Sequence, residues 1–527
     1  MSCLQLTVPA QTTTVEKFSA RAISDWIESL PQLNQVKSIA SIVEKSKAIN
    51  RQTLPAELRK DILATLQSGF IHFNRHLSHK DFQKDNELRI NARCFWQEQS
   101  FGYKIIVNEL NADKKSSSGT LLMAAIAGAL DALDHYSLYY YGEYQRLPLL
   151  LWLEAIQIYR FAVNMGIDLE KPPSRKSGAL SINEIFQTMV LLRISDPYQL
   201  QSGAVWVLHK YFQKLSTTSH IINSGESLRV LQNPLLIDKA DSLTEYDLLI
   251  DINPLIDQIG DDYNRIIINK QHDLGTFIKQ LNLEGFAHTL KRVQTTWSSK
   301  VDRKNDRVEA HQRFEAVIGL QACCQVVQSQ QPTDEVIEDS ETEHIEISST
   351  VNKTSWNNYP TTYPCNSFNR NSGGIALRFD FAAKDSLYVG QLLALHHPDT
   401  PRSEGWVVGV VRWLTLHNNP QTIELGIQYL SRNAKPVSLS KKTGTTKASL
   451  ALACRQKQGD QPVTTLLAPK GFYADQAGLE LDSDDGSILI TCQTLLESTP
   501  AFERFIYQTA SKIAQISHAN QLADPVS

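Results

Sequence analysis

The spacing of apolar residues changes near residue 300, and that change constrains the fold more than any other feature of the sequence. Before it the pattern is helical. Leu58, Ile62, Leu66 and Phe70 recur every four residues behind Pro55, which puts one apolar stripe on a helix that the proline opens. Residues 119–140 are rich in Ala and Leu. Pro148 opens LLLWLEAIQIYRFAVNMG with Gly166 placed to cap it, and Pro197 opens YQLQSGAVWVLHKYFQKL. Residues 272–296 again show helical spacing. Residues 14–300 are therefore expected to form an all-α scaffold. Its pairs around 120–166 look like antiparallel helical hairpins of the tetratricopeptide kind, although no clean self-similarity of about 34 residues runs through them. Residues 227–237 and 246–257 fit short strands or edge helices.

Beyond residue 300 the apolar positions alternate. RFEAVIGLQACCQVV reads as a strand. SGGIALRF, LYVGQLLALHH, WVVGVVRWLT and TIELGIQYL follow, with the turns HPDTPRSEG and HNNPQ between them, a cadence that fits a small antiparallel barrel. Residues 328–355 interrupt it. Asp334, Glu335, Glu338, Asp339, Glu341, Glu343 and Glu346 fall in a run to residue 350 that holds no Lys or Arg, so this stretch reads as a disordered acidic insertion. A lesser reading makes it a flap that mimics an anionic ligand. After the barrel at 301–435, NAKPVSLSKKTGTTKAS reads as a flexible connector carrying Lys435, Lys441, Lys442 and Lys447. Residues 448–515 then offer a β-rich block (LALACRQ, VTTLLAP, GLELD, SILITCQ) and a closing helix, PAFERFIYQTASKI. The fold class is α+β, multidomain.

Composition narrows the function. With 42% hydrophobic residues the chain is not disordered throughout, and 52 Lys+Arg against 56 Asp+Glu leaves no bulk charge with which to grip a nucleic acid polymer. No apolar run reaches the ~18–20 residues needed to cross a bilayer. The first residues lack the basic start and apolar core of a secretory leader. The seven cysteines are scattered and never spaced C-x-x-C, which fits free thiols in a reducing cytoplasm. Cys323-Cys324 is expected in the core.

Signatures of enzymes are missing: no nucleophile elbow, P-loop, H-E-x-x-H or dinucleotide glycine motif. The chain is expected not to be an enzyme and to need no cofactor or metal. His72, His76 and His79 share helical spacing that could hold a metal, but they are read in preference as a polar helix face flanked by Arg75 and Lys80. The tyrosines Tyr136, Tyr139, Tyr140, Tyr141 and Tyr144 read as helix-packing groups, and His396-His397 as the end of a strand.

Two short segments carry the more specific chemistry. Arg303-Lys-Asn-Asp-Arg307 stands before the first strand of the barrel, and Asn369-Arg-Asn371-Ser-Gly373-Gly374 leads into IALRF. Here the residues resemble the PilZ domain, the small barrel that binds cyclic di-GMP in bacteria. That family shows R-x-x-x-R in the segment entering the barrel and [D/N]-x-[S/T]-x-x-G before a following strand. Arg303 and Arg307 match the first motif; Asn369 and Gly374 match the second. Asn371 departs from it, standing where the family usually has Ser. YVGQLLAL, GVVRWL and ELGIQYL are similar to the family's later strands. The acidic stretch accounts for much of the separation between the two motifs, and loop closure costs only logarithmically with length.

The chemistry of the side chains agrees with that resemblance. Two guanidinium forks pair with phosphate and stack on a guanine face. Asn369 and Asn371 offer amide donors and acceptors. Gly373 and Gly374 let the backbone turn and approach a ligand. What the resemblance implies is a cytoplasmic cyclic di-GMP receptor, in which the ligand shifts a population of domain arrangements, the helical scaffold presents a groove to a protein partner, and the output falls on motility, type IV pili or biofilm. The alternative it allows is a ligand-free adaptor in the assembly of pili or other surface machinery.

Overall fold

A computed structural model describes residues 4–13, 18–75, 85–112, 119–172, 179–223, 234–236, 248–269, 283–298, 308–328, 359–401, 405–418, 421–441, 448–458, 461–483 and 486–509. The chain divides into two compact units, the first built mainly from residues 1–274 and the second mainly from residues 300–527.

The first unit is helical. Helices α1 (Ala20–Glu28), α2 (Gln35–Asn50) and α3 (Ala56–Asn74) are followed by α4 (Asn86–Ala112), α5 (Gly119–Gly142), α6 (Leu149–Met165), α7 (Ile182–Ile194) and α8 (Ala204–Leu215). The punctuation read from the sequence sets several ends. Pro55 and Pro148 precede α3 and α6, and Gly166 caps α6 at φ +69°. Ser181 opens α7 with a reciprocal capping box: its hydroxyl accepts from the Glu184 N–H at 3.1 Å, and its own N–H donates to the Glu184 carboxylate at 2.6 Å. The stripe Ile62, Leu66 and Phe70 is buried against Phe95 and Trp96, with the Phe70 and Phe95 rings stacked at 4.1 Å. Helix α5 is long and apolar enough by length and composition to cross a bilayer, but 72% of its most apolar window is buried inside this unit, as a core helix would be.

The ambiguous segments near residue 250 resolve into both alternatives. Strands β1 (His220–Asn223), β2 (Pro234–Leu236) and β3 (Leu248–Asp251) form a three-stranded antiparallel sheet in the order β1-β3-β2. Helix α9 (Asn253–Ile267) starts immediately afterwards, with Pro254 in its first turn, where a missing N–H costs nothing. Helix α10 (Leu283–Ser298) supplies the helical part of 272–296 that lies within the described residues.

The second unit contains two closed barrels. In the first, β4 (Val308–Glu309), β5 (Arg313–Ile318), β6 (Tyr363–Asn371), β7 (Gly374–Asp380), β8 (Leu392–His396), β9 (Val407–Asn418) and β10 (Gln421–Ser431) run in the order β4-β6-β5-β8-β9-β10-β7, and a β6–β7 pairing closes the ring. RFEAVIGLQACCQVV is not one strand. The chain turns at Gly319 after β5 and continues as helix α11 (Leu320–Gln328), whose Cys323, Cys324, Val326 and Val327 are all buried. Alternation and helical spacing coincide over so short an apolar run, and burial on a helix face decided the outcome. The expectation that both cysteines belong to the core holds.

The second barrel, β11-β12-β13-β16-β15-β14, comprises β11 (Ala434–Lys441), β12 (Ser449–Gln458), β13 (Gln461–Ala468), β14 (Gly478–Ser483), β15 (Gly486–Ser498) and β16 (Glu503–Thr509). Two expectations are corrected here. The segment read as a connector begins with β11, because Val437 and Leu439 alternate with polar neighbours and are fully buried, a period-two signal that the lysines obscured. The expected closing helix is instead strand β16 over Glu503–Thr509, which pairs with β13 and β15; ERFIYQT alternates around the fully buried Phe505. Helix α11, Trp406 and Leu430 of the first barrel share a core with Leu452, Leu467 and Phe502 of the second.

Candidate functional site

The Asn369–Gly374 segment is a tight hairpin. Asn371 pairs with Gly374 across β6 and β7, leaving Ser372-Gly373 as the turn. The Asn371 Oδ1 accepts the Gly373 N–H at 3.0 Å, an Asx turn that substitutes a side chain for a backbone bond. The Gly373 carbonyl accepts the Tyr429 N–H at 3.0 Å, which ties the turn to β10. A Cβ on Gly374 would stand 2.3 Å from the Ile427 carbonyl oxygen, so only glycine lets the hairpin lie this close to its neighbour.

The register builds a surface from that hairpin. Asn369, Ala376, Gly426 and Trp413 form one cross-strand row, with Asn371, Gly374 and Gln428 in the next row on the same face. The intervening Ile375, Leu377, Leu425 and Ile427 point into the barrel and are buried. Gly426 lacks the Cβ that would lie 1.9 Å from the Trp413 indole nitrogen, so the indole rests on the sheet itself. Phe368 meets Trp413 edge-on at 6.5 Å between ring centroids. The Arg378 guanidinium sits 5.8 Å from the Phe368 ring and pairs with Glu424 at 2.8 Å, and Glu424 also meets His417 Nε2 at 3.1 Å. The result is a surface with an aromatic floor, two half-buried asparagines and a cationic edge.

The strand that enters the barrel runs beside it. The Ser367 hydroxyl donates to the Ala310 carbonyl at 2.8 Å and accepts the Gln312 N–H at 3.0 Å, and a bulge follows between Ser367 and Asn369. Val308 pairs with Arg370, and Glu309 with Asn369. Arg303 and Arg307, the expected phosphate-binding pair, lie outside the described residues. The first described residue after them is thus paired with the same arm of the hairpin that carries Asn369 and Asn371.

A group at the hairpin end escaped the sequence reading. Burial raises the Tyr429 phenol, while the nearby Arg432 and Arg370 pull it back down. Arg432 stands 5.8 Å from the Tyr429 ring, and Arg370 donates to the Gln312 side chain at 3.0 Å. Arg370 could have been noticed, since it lies between the two motif asparagines. Tyr429 and Arg432 gave no signal, because only the β10 register brings them to the turn.

The other candidates have structural roles. His72 meets the Gln32 side-chain oxygen at 3.2 Å and lies edge-on to Phe73; His76 and His79 lie outside the described residues, among which no cluster suited to a metal ion occurs. Tyr139 and Tyr141 are buried, and the Tyr136 and Tyr140 hydroxyls lie 3.3 Å apart. His396 is buried, with its Nε2 near the Pro401 carbonyl and the Thr400 hydroxyl. Residues 329–358, and with them nearly all of the acidic insertion, lie outside the described residues.

Comparison with known proteins agrees with this geometry. Residues 21–224 match the family model described as the N-terminal domain of the cyclic-di-GMP receptor FimW, and residues 344–436 match the one described as its middle PilZ domain. The curated protein "Cyclic-di-GMP receptor FimW" of Pseudomonas aeruginosa is 20% identical over 580 residues, which cover 97% of this chain and 94% of that protein. The second barrel, from β11 onward, falls almost entirely beyond both models. The barrel bearing the Asn369–Gly374 hairpin is a PilZ domain, and in its C-terminal half the chain belongs to that family over residues 344–436.

Proposed function

We propose that this protein is a cytoplasmic receptor for cyclic di-GMP and that the ligand binds on the face of the PilZ barrel bearing Asn369 and Asn371. The observation that carries this reading is the pairing of Val308 with Arg370. It brings the chain that has just left Arg307 to the hairpin of the second motif. Arg303 and Arg307 then supply guanidinium forks for the phosphates and for stacking on guanine. The Asn369 amide reads a guanine edge, and Gly373 and Gly374 keep the turn free of side chains. The match to the FimW models and the similarity to a protein named as a cyclic-di-GMP receptor support the same ligand.

In this reading the departure at Asn371 is conservative. Its oxygen caps the turn by accepting the Gly373 N–H, and a serine hydroxyl at that position can accept the same bond. Ligand binding shifts the population of arrangements in which both motifs engage it, and the helical unit passes that shift to a protein partner acting on motility, type IV pili or biofilm.

Titration calorimetry of the full chain with cyclic di-GMP tests the proposal. Arg303→Ala and Arg307→Ala should each weaken binding by about tenfold or more, Asn369→Ala by about tenfold, and Asn371→Ser by little. No heat with the wild-type protein would replace the receptor by the ligand-free adaptor.

A further inference from the structure

The first unit holds its own N-terminal segment as a bound peptide. The Asn108 side chain on α4 makes a two-bond clamp on the backbone of Leu6: its Oδ1 accepts the Leu6 N–H at 3.0 Å, and its Nδ2 donates to the Leu6 carbonyl at 2.9 Å. One helical turn on, Asn111 donates to the Leu4 carbonyl at 3.0 Å. From α6, Glu154 accepts the Thr7 N–H at 3.2 Å. The other oxygen of that carboxylate is held at 3.0 Å by Lys104, in an ion pair whose side chains are only 3% and 10% exposed. Leu6 is buried, while Gln5 and Thr7 on either side of it are exposed.

This is an extended strand read mainly through its backbone, with one apolar side chain as anchor. Amide clamps of this kind supply affinity without regard to sequence, and the apolar station supplies selection. The helices present the reading groups ready-made: Asn108 and Asn111 lie on neighbouring turns of one face of α4, and the buried lysine fixes the Glu154 carboxylate from behind. Leu6 is the one fully buried side chain of residues 4–7, and its burial adds to the backbone bonds a factor on the order of a hundredfold in an equilibrium. Thr12, whose N–H donates to the Arg51 carbonyl at 2.8 Å, anchors the chain a few residues beyond Thr7, and a tether that short supplies millimolar effective concentration, which suffices to keep a weak ligand in place.

We propose that the face formed by Asn108, Asn111 and Glu154 is a peptide-recognition groove, and that residues 4–7 fill it as a displaceable stand-in for an extended segment of a partner protein. That segment is uncharged where it crosses the groove and places a leucine-like side chain at the Leu6 station. The groove's own ionic groups, Lys104 and Glu154, already satisfy each other, so a charged residue at that station would gain no partner. The inference is independent of the cyclic di-GMP reading.

The test uses a labelled peptide of sequence SCLQLTVPAQ, followed by fluorescence anisotropy. A chain lacking residues 2–10 should bind it with a Kd of about 10–100 μM, and the intact chain at least tenfold more weakly. The peptide with Leu6→Asp should not bind, and Asn108→Leu in the shortened chain should abolish binding. A shortened chain that melts like the intact one and ignores the peptide, or binding that survives Asn108→Leu, would overturn the proposal. Where truncation unfolds the protein, hydrogen exchange in the intact chain decides. The amides of Leu6 and Thr7 should open well before those of central α4, and protection equal to that of α4 would make the segment a fixed structural strap. Calorimetry with cyclic di-GMP on the same variants, expected unchanged, keeps failure here distinct from failure of the receptor reading.

Discussion

Two closed barrels share one unit and part of one core, yet they use their residues in opposite ways. The PilZ barrel places glycines inside strands where a neighbour presses on them: Gly374 against the Ile427 carbonyl, Gly426 beneath the Trp413 indole. That thinning makes room for half-buried asparagines and an indole on the outer face. The C-terminal barrel fills its interior with Val437, Leu439, Ala451, Leu466, Leu481, Ile490 and Phe505, and its Gly471 and Gly486 have nothing within 4 Å of a would-be Cβ. Missing side chains between polar ones leave open space on the outer face of the PilZ sheet, where the proposed site lies, whereas the glycines of the C-terminal barrel thin no strand in this way.

Truncating the shared and unshared cores is the strongest way to break this comparison. Phe505 belongs to the interior of the C-terminal barrel alone, and Phe502 to the core it shares with α11 and Trp406. Phe505→Ala should destabilise the second barrel by about 3–5 kcal/mol and leave the amide protection of β6 and β7 nearly unchanged. Phe502→Ala should cost about as much and lower protection in both barrels. Hydrogen exchange resolved by strand separates the cases. Equal loss in β6 and β7 from Phe505→Ala would mean that the barrels unfold as one body.

A smaller effect sharpens the functional side. Gly374→Ala forces a methyl group against a backbone oxygen that has little freedom to retreat, a cost of about 1–3 kcal/mol, and it pushes β7 away from β10 beside the proposed site. Gly471→Ala carries a similar penalty, about 1–2 kcal/mol, from its φ of +90° alone. The two should differ in cyclic di-GMP affinity: weakened for Gly374→Ala, unchanged for Gly471→Ala. Calorimetry with thermal melting checks both, and equal affinities would detach the hairpin from the ligand.

The same contrast explains what could be read from the sequence. The PilZ barrel was legible because its hairpin needs particular residues at particular places, and Asn369, Asn371 and Gly374 leave that demand in the chain. The C-terminal barrel makes no such demand. Its first strand was hidden by Lys435 and Lys441, which flank buried Val437 and Leu439, and its last strand by a segment, ERFIYQT, whose residues suit a helix as well as a strand until Phe505 is known to be inside. Helix α11 was misread for the converse reason: Leu320, Ala322, Cys324 and Val326 alternate along the sequence as a strand's would, whereas the residues that are buried, Cys323, Cys324, Val326 and Val327, keep helical spacing. Of the candidate site, the local half was visible. Tyr429, Arg432 and Trp413 were not, because cross-strand register brings them to the hairpin and a single sequence does not display register.

Thiol titration gives the finest comparison, since each barrel buries a comparable cysteine. Burial pushes Cys365 in β6 and Cys454 in β12 from an ordinary 9.0 up to about 12. Both thiols stay protonated in the folded chain at pH values where the unfolded chain has released the proton. Above pH 9 the unfolded state therefore binds fewer protons, and stability falls as pH rises, by up to about 1.4 kcal/mol per pH unit for each thiol. The loss continues until the folded thiols themselves ionise near 12. Cys365→Ala and Cys454→Ala each lower the baseline through a small cavity, but the informative quantity is the slope of denaturant stability between about pH 9 and 10.5. Each substitution should make it shallower by about the same amount. A slope unchanged by Cys365→Ala but reduced by Cys454→Ala would show that water reaches Cys365 inside the PilZ barrel and not the core that the two barrels share, where Cys454 lies, as expected if the thinned sheet opens inward as well as toward its proposed ligand face.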